Sequence, residues 1–346
     1  MIDPDPYNAD LEEDQEEADL WFVPAPPEEE PDFLSPLPRS SDDELSQIAD
    51  WQAAQRDLVV ELADAARLLG VLDEMLRRGP KGWSQRIALT EAAQLGWITG
   101  SRLSVERLGL WTELRLSHPG DDARDLERGS WAYRRLAGNL QPLEGMKAFL
   151  NRTPVGEQSL LDDKIEGWSA AILAANALHP IALGGFAHHL WPLAGIGSPG
   201  DKLECSVVGA RIAAQAKGAA LRFAPIAMGG SSALLASGTA ERKLRYWIRG
   251  VSNGASRAIR ILRLLEDWSA RATAETQDLS GKTHGRLLTL FAAWPMISAP
   301  TAEKMTGVSR ASVQRNLDAL QQRGLISEVT DQSRFRVWTA NIGSAG

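Results

Sequence analysis

The chain has one cysteine, Cys205, among 346 residues, which excludes a disulfide framework and points to a reducing, cytoplasmic setting. It has no apolar stretch approaching the 18 uninterrupted residues of a membrane span, so a soluble protein without a membrane partner is expected. Its start, MIDPDPYNADLEEDQEEADL, contains no basic residue, whereas a secretory or mitochondrial leader opens on positive charge. Alternating strand patterns are nearly absent before residue 320, which excludes a sheet-based body and leaves an all-α one.

Charge is unevenly placed. Residues 1–50 hold 17 acids and one base, Arg39, a net of −16, and the chain totals −8, so the remainder carries +8. The same segment contains six prolines between Pro24 and Pro38, and its composition predicts a disordered acidic tail over 1–50. Such a tail serves as a solubilising segment or as a competitor for whatever the basic remainder binds.

From Asp50 to about Leu150 the pattern is helical. Leu58, Leu62, Ala65, Ala66, Leu69 and Leu72 keep a period near 3.6 up to Gly79-Pro80, and a second helix is expected around Trp83–Ile98. Buried helices rich in alanine and glycine follow near 162–178 and 183–193, a helix near 207–217, and a long amphipathic helix over about 240–270 with Trp247, Ile248, Val251, Ala255, Ile259, Leu262, Leu265 and Trp268 on one face. Most of the 12 tryptophans sit at helical spacing and read as core. Gly184-Gly185 and Gly229-Gly230 lack a phosphate-loop pattern and read as close packing or turns. His179, His188, His189 and Cys205 match no metal-ligand spacing, so no metal or cofactor is expected.

The C-terminal end is the most specific stretch. Leu287, Leu288, Leu290 and Phe291 form an apolar stripe that stops at Trp294-Pro295, where proline removes a backbone donor. Ser298 and Pro300 announce a short helix over Thr301–Met305. Thr306-Gly307-Val308-Ser309 then supplies a glycine for a tight turn and a serine to cap the next helix, expected over Arg310–Arg323 and ended by Gly324. Val313, Leu317 and Leu320 share one face of that helix, while Ala311, Arg315, Asp318 and Gln322 share the opposite face, flanked by Ser312 and Gln314. Two strands, Leu325–Val329 and Arg334–Thr339, enclose a polar turn, with Phe335 and Val337 facing the core and Arg334, Arg336 and Trp338 facing out.

Three short helices and a two-stranded ribbon in this order predict a winged helix-turn-helix that binds double-stranded DNA. Base contacts are expected from Ser312, Gln314 and Arg315, and backbone contacts from Lys304, Ser309, Arg310, Arg334 and Arg336. From Gly285 onward seven Lys/Arg oppose four Asp/Glu, a net of +3. The expected fold class is therefore mainly α, divided into an acidic tail (1–50), an α-helical body (51–280) and a winged helix-turn-helix domain (281–346). A homodimer on paired half-sites is expected, because one such module alone reads little sequence.

The run TEAAQLGWITGSRLSVERL, Thr90 to Leu108, resembles the N-terminal segment of Fic-type proteins, and RYWIRGVSNGASRAIRILRLLEDW, Arg245 to Trp268, is similar to the late helix after the Fic core. From about residue 51 the layout also resembles a group of α-proteobacterial proteins that join a helical domain of unknown function to a helix-turn-helix. That resemblance implies a transcriptional or plasmid-maintenance regulator with a Fic-like body. The Fic catalytic pattern, His-Pro-Phe-x-acid-Gly-Asn-Gly-Arg, meets His179-Pro180-Ile181-Ala182-Leu183-Gly184-Gly185-Phe186-Ala187 here, and only His179, Pro180 and Gly184 match. Leu183 stands at the metal-binding acid and Ala187 at the arginine, which removes the groups a nucleotidyl transfer needs. Thr99 stands where the family's inhibitory glutamate would fall. No catalytic residue is expected, and the alternatives are an AMP-transferase relative using His179 or a protein–protein adaptor.

Overall fold

Helical periodicity governs nearly the whole chain. A computed structural model describes residues 41–117, 120–151, 158–198, 200–215, 218–330 and 336–343. The described residues are mainly helical, in the order α1 (Ser41–Asp57), α2 (Val59–Arg78), α3 (Gly82–Ile98), α4 (Val105–Leu114), α5 (Ala123–Ala137), α6 (Met146–Leu150), α7 (Gln158–Ala174), α8 (Pro180–Leu193), α9 (Leu203–Ala213), a 3-10 turn (Ala227–Gly229), α10 (Ser232–Leu235), α11 (Ala240–Glu275), α12 (Thr283–Ala293), β1 (Ile297–Ser298), α13 (Ala299–Thr306), α14 (Arg310–Gln322), β2 (Ile326–Glu328) and β3 (Val337–Ala340). No helix among these residues is long and apolar enough to cross a membrane.

The expected tail over 1–50 is too long by at least ten residues. Helix α1 begins at Ser41, and its Ile48 and Trp51 are buried in the core of the body. Burying Ile48 and Trp51 outweighs the negative charge of Asp42, Asp43 and Glu44 in the same helix and draws the segment into the fold. Residues 1–40 lie outside the described residues.

Residues 44–346 form one compact unit with two hydrophobic cores. The larger is built by α1 to α11 and ends at Leu265, and the smaller gathers Trp268 and Ala272 with Leu287, Leu288, Phe291, Val313, Leu317, Leu320, Ile326 and Trp338. Helix α11 serves both, so packing changes partner within that helix rather than near residue 280. Helices α8 and α9 cross at Gly184 and Gly209. A Cβ on Gly184 would lie 2.5 Å from the Gly209 carbonyl oxygen, and one on Gly209 would lie 2.7 Å from the Gly184 oxygen, a separation only two glycines permit. Trp168, Trp191, Trp247, Trp268 and Trp338 are fully buried, whereas Trp97 is exposed.

Candidate functional site

The C-terminal end contains the chemistry singled out in the sequence. Helix α12 presents Leu287, Leu288 and Phe291 to the smaller core and stops before Pro295. Ser298 caps α13, its hydroxyl accepting from the Thr301 amide at 3.3 Å, with Pro300 in the first turn. Gly307 then takes φ +67°, the left-handed geometry that lets the chain reverse tightly. Helix α14 follows from Arg310, with Val313, Leu317 and Leu320 fully buried beneath it.

The sheet departs from the expected two-stranded ribbon. Ile297 and Ser298 pair antiparallel with β3, giving three strands in the order β1-β3-β2. A two-residue strand carries no alternating pattern, which is why the sequence does not announce it. As the central strand, β3 is paired along both edges, and its successive residues Val337 and Trp338 are both buried, so Trp338 is not outward-facing. Its indole Nε1 donates to Gln321 Oε1 at 2.9 Å, which satisfies the one polar atom that burial would orphan.

This small core is fastened to the body at both ends. Trp268 Nε1 donates to the Leu325 carbonyl at 2.9 Å, and Arg323, at the C-terminal end of α14, makes a bidentate ion pair with Asp278 at 2.7 Å. From α3, Trp83 Nε1 donates to the Ala292 carbonyl (2.9 Å) and buried Arg86 donates to the carbonyls of Phe291 (3.0 Å) and Trp294 (2.6 Å). These acceptors are the carbonyls a helix leaves unpaired at its C-terminal end. Burial lowers the Arg86 pKa to about 10.

The candidate residues separate into two groups. Lys304, Ser309, Arg310 and Arg315 are exposed. Ser309 stands at the N-cap of α14 in extended geometry, but its side chain makes no cap hydrogen bond, so the expected capping interaction is absent and the hydroxyl is left at the surface. Ser312, half-buried, lies 3.4 Å from the Thr283 hydroxyl, and Gln314 Nε2 donates to Asp318 at 2.9 Å. Arg336 is drawn inward: it donates to Glu328 at 2.6 Å, lies 3.7 Å from Asp318, and stacks 4.8 Å from the Trp338 ring centroid. It holds the β2–β3 hairpin against α14 rather than projecting as a free cation. Arg334 and Phe335 lie outside the described residues.

Sequence reasoning passed over Arg286 and Lys282. Both are exposed, and Arg286 donates to the Thr306 carbonyl at 2.9 Å, which places its guanidinium beside the turn between α13 and α14. Its position on the polar side of the α12 stripe was the available signal. Pairing then decides the field of this region. Arg336 stands between Glu328 and Asp318 and offsets one of their two charges, and Arg323 offsets Asp278. Among the described residues 278–340 this leaves Lys282, Arg286, Lys304, Arg310 and Arg315 against Glu303 and that one residual carboxylate charge, a net of +3.

The buried polar side chains of the body meet backbone at several points. His179 caps α8, Nδ1 accepting from the Ile181 amide at 3.2 Å, and burial lowers its pKa. Glu91 is fully buried and its carboxylate accepts from the amides of Ile226 (2.9 Å), Ala227 (2.7 Å) and Met228 (2.9 Å). Burial pushes its pKa up to about 7 against the pull of those amides. His188 Nε2 lies 3.2 Å from the Leu234 carbonyl, and burial holds His188 and His189 down to about 4 and about 2. The Cys205 thiol is buried and pushed up to about 12. No group of three His, Cys, Asp or Glu that suits a metal ion occurs among the described residues. Compared with known proteins, the chain matches no family model and no curated protein sequence.

Proposed function

We propose that residues 283–340 are a winged helix-turn-helix and that the chain is a DNA-binding protein, acting as a transcriptional or plasmid-maintenance regulator. The observation that carries the reading is the order helix, short strand, helix, left-handed glycine, helix, hairpin, in which the last helix keeps its N-terminal polar groups at the surface. Helix α14 is the recognition element. Its exposed Arg315 suits the N7 and O6 acceptors of guanine in a major groove about 12 Å wide, with Ala311 small enough to let the helix approach. Arg310, Arg286 and the Ser309 hydroxyl lie toward its N-terminal end, where amides and dipole favour phosphate, and Lys304 adds an exposed cation in the last turn of α13. Arg336 stabilises the hairpin, and Gln314 must release Asp318 before it reads a base. Two copies on paired half-sites would supply the specificity that one helix lacks, a point that sedimentation with and without DNA decides.

Selection of genomic fragments with the purified full chain tests the proposal. A shared motif among bound fragments, with Arg315→Ala losing preference at one position, is the expected outcome. Recovery of random fragments with no salt-sensitive affinity would favour the protein–protein adaptor reading. A Fic-like nucleotidyl transfer through His179 has little to support it, since its Nδ1 already accepts an amide of its own helix. Self-labelling by ATP that is lost in His179→Ala would restore it.

A further inference from the structure

Away from the C-terminal region, a cavity of about 610 Å³ opens between the C-terminal end of α5 and the stretch that runs from α9 to Arg222, lined by Asn139, Gln141, Glu144, Arg211, Gln215 and Arg222 among others. Its size lies within the range of small-molecule sites, and most of these residues carry hydrogen-bonding groups.

Two guanidiniums converge here. Arg211 is 1% exposed, with Nη1 donating to the carbonyls of Leu136 (3.1 Å) and Gly138 (3.0 Å) and Nη2 to that of Leu140 (2.7 Å). Arg222 Nη1 donates to the neighbouring Ala137 carbonyl at 2.8 Å. These bonds occupy donors but leave the charge. Among the described residues no carboxylate lies within ion-pair distance of either arginine, and Glu144, the one acid on the cavity wall, is exposed.

The C-terminal end of α5 offsets about half a unit of charge through its dipole, against two guanidiniums with Arg134 and Arg135 in the same last turn. A buried cation without a counter-charge is costly. Arg211 responds accordingly: burial and the nearby Arg222 bring its pKa down to about 10, against a weaker opposing pull from Glu144. One buried donor of a cavity-lining residue, Arg211 Nε, has no partner. The wall is fixed in place, because Asp73 Oδ1 accepts from the amides of Ala220 (2.6 Å) and Leu221 (2.8 Å).

We propose that this cavity binds a small molecule bearing a phosphate or carboxylate group, whose oxygens neutralise Arg211 and Arg222 while the side-chain amides of Gln141 and Gln215 donate to the rest. The site is separate from the C-terminal region and does not depend on how that region functions.

Calorimetric titration of the full chain with inorganic phosphate, citrate and adenosine monophosphate at constant ionic strength tests this and separates the two headgroup chemistries. At least one should bind saturably. Arg222→Ala, chosen because its side chain is exposed and the fold should tolerate its loss, should weaken that binding about tenfold or more while the melting temperature without anion stays at the wild-type value. The Arg310→Ala/Arg315→Ala double variant should bind the same anion unchanged. Absence of saturable binding for all three probes, wild-type affinity in Arg222→Ala, or loss of binding in the double variant would each overturn the proposal.

Discussion

Helices α8 and α14 begin alike and end in different chemical situations. Each follows an extended cap residue, His179 or Ser309. The His179 ring accepts an amide of its own helix, and α8 is buried along most of its length. The Ser309 hydroxyl makes no cap hydrogen bond, and α14 buries one narrow face. The same contrast runs through the cations: Arg86 and Arg211, both carried by the body, bond buried backbone carbonyls, while Lys304, Arg310 and Arg315 meet solvent. The difference teaches that these polar groups of the body are bonded to backbone, whereas α14 keeps the polar groups of its first turns at the surface.

The contrast breaks if a body polar group proves dispensable for folding. Glu91→Ala strands three buried amides at about 1 kcal/mol or more each, so urea denaturation should show a loss of roughly 3 kcal/mol. Unchanged stability would remove Glu91 from the structural set. Acid titration probes the same interior. His188 and His189 are neutral in the fold and titrate near 6.5 when unfolded, so their contribution is complete above that pH. It falls as the pH drops from 6.5 toward about 4 for His188 and about 2 for His189. Glu91, raised to about 7, acts oppositely between pH 7 and its unfolded value near 4.5. Two histidines against one carboxyl leave a net loss on the order of 2 kcal/mol between pH 7 and 5, measurable as a lower denaturation midpoint.

On the C-terminal surface the expected pattern reverses. Arg315→Ala should cost about 1–3 kcal/mol of DNA affinity at one base position with no change in melting temperature. Arg336→Ala sharpens the comparison within the region, since its ion pairs are internal. It should lower stability by about 1 kcal/mol, discounted for its partial exposure, while the salt dependence of DNA binding stays as in the wild type. A shallower salt slope in Arg336→Ala would return it to the phosphate-contacting set.

Legibility in the sequence followed the same division. Periodic elements could be read closely: α2, α3, α11 and α14 lie within a few residues of their expected ranges, because an apolar stripe is a local property. The Ser298 cap and the Gly307 turn were equally local. What escaped depends on distant partners. Ile48 and Trp51 pull the helix start back into the acidic segment only because a core awaits them. Strand β1 exists only because β3 returns beside it, and that return also buries Trp338. Arg336 shows the limit most plainly, since nothing near it in sequence reveals that Glu328, Asp318 and Trp338 would converge on its guanidinium.

The proposed DNA binding rests on the exposed cations of the C-terminal surface, and a salt titration of duplex DNA binding measures them directly. Fluorescence anisotropy of the full chain should show affinity falling linearly with the logarithm of salt concentration. The Arg310→Ala and Lys304→Ala variants should each reduce that slope by about 1. Slopes that match the wild type in both variants, or no binding even at low salt, would contradict the account.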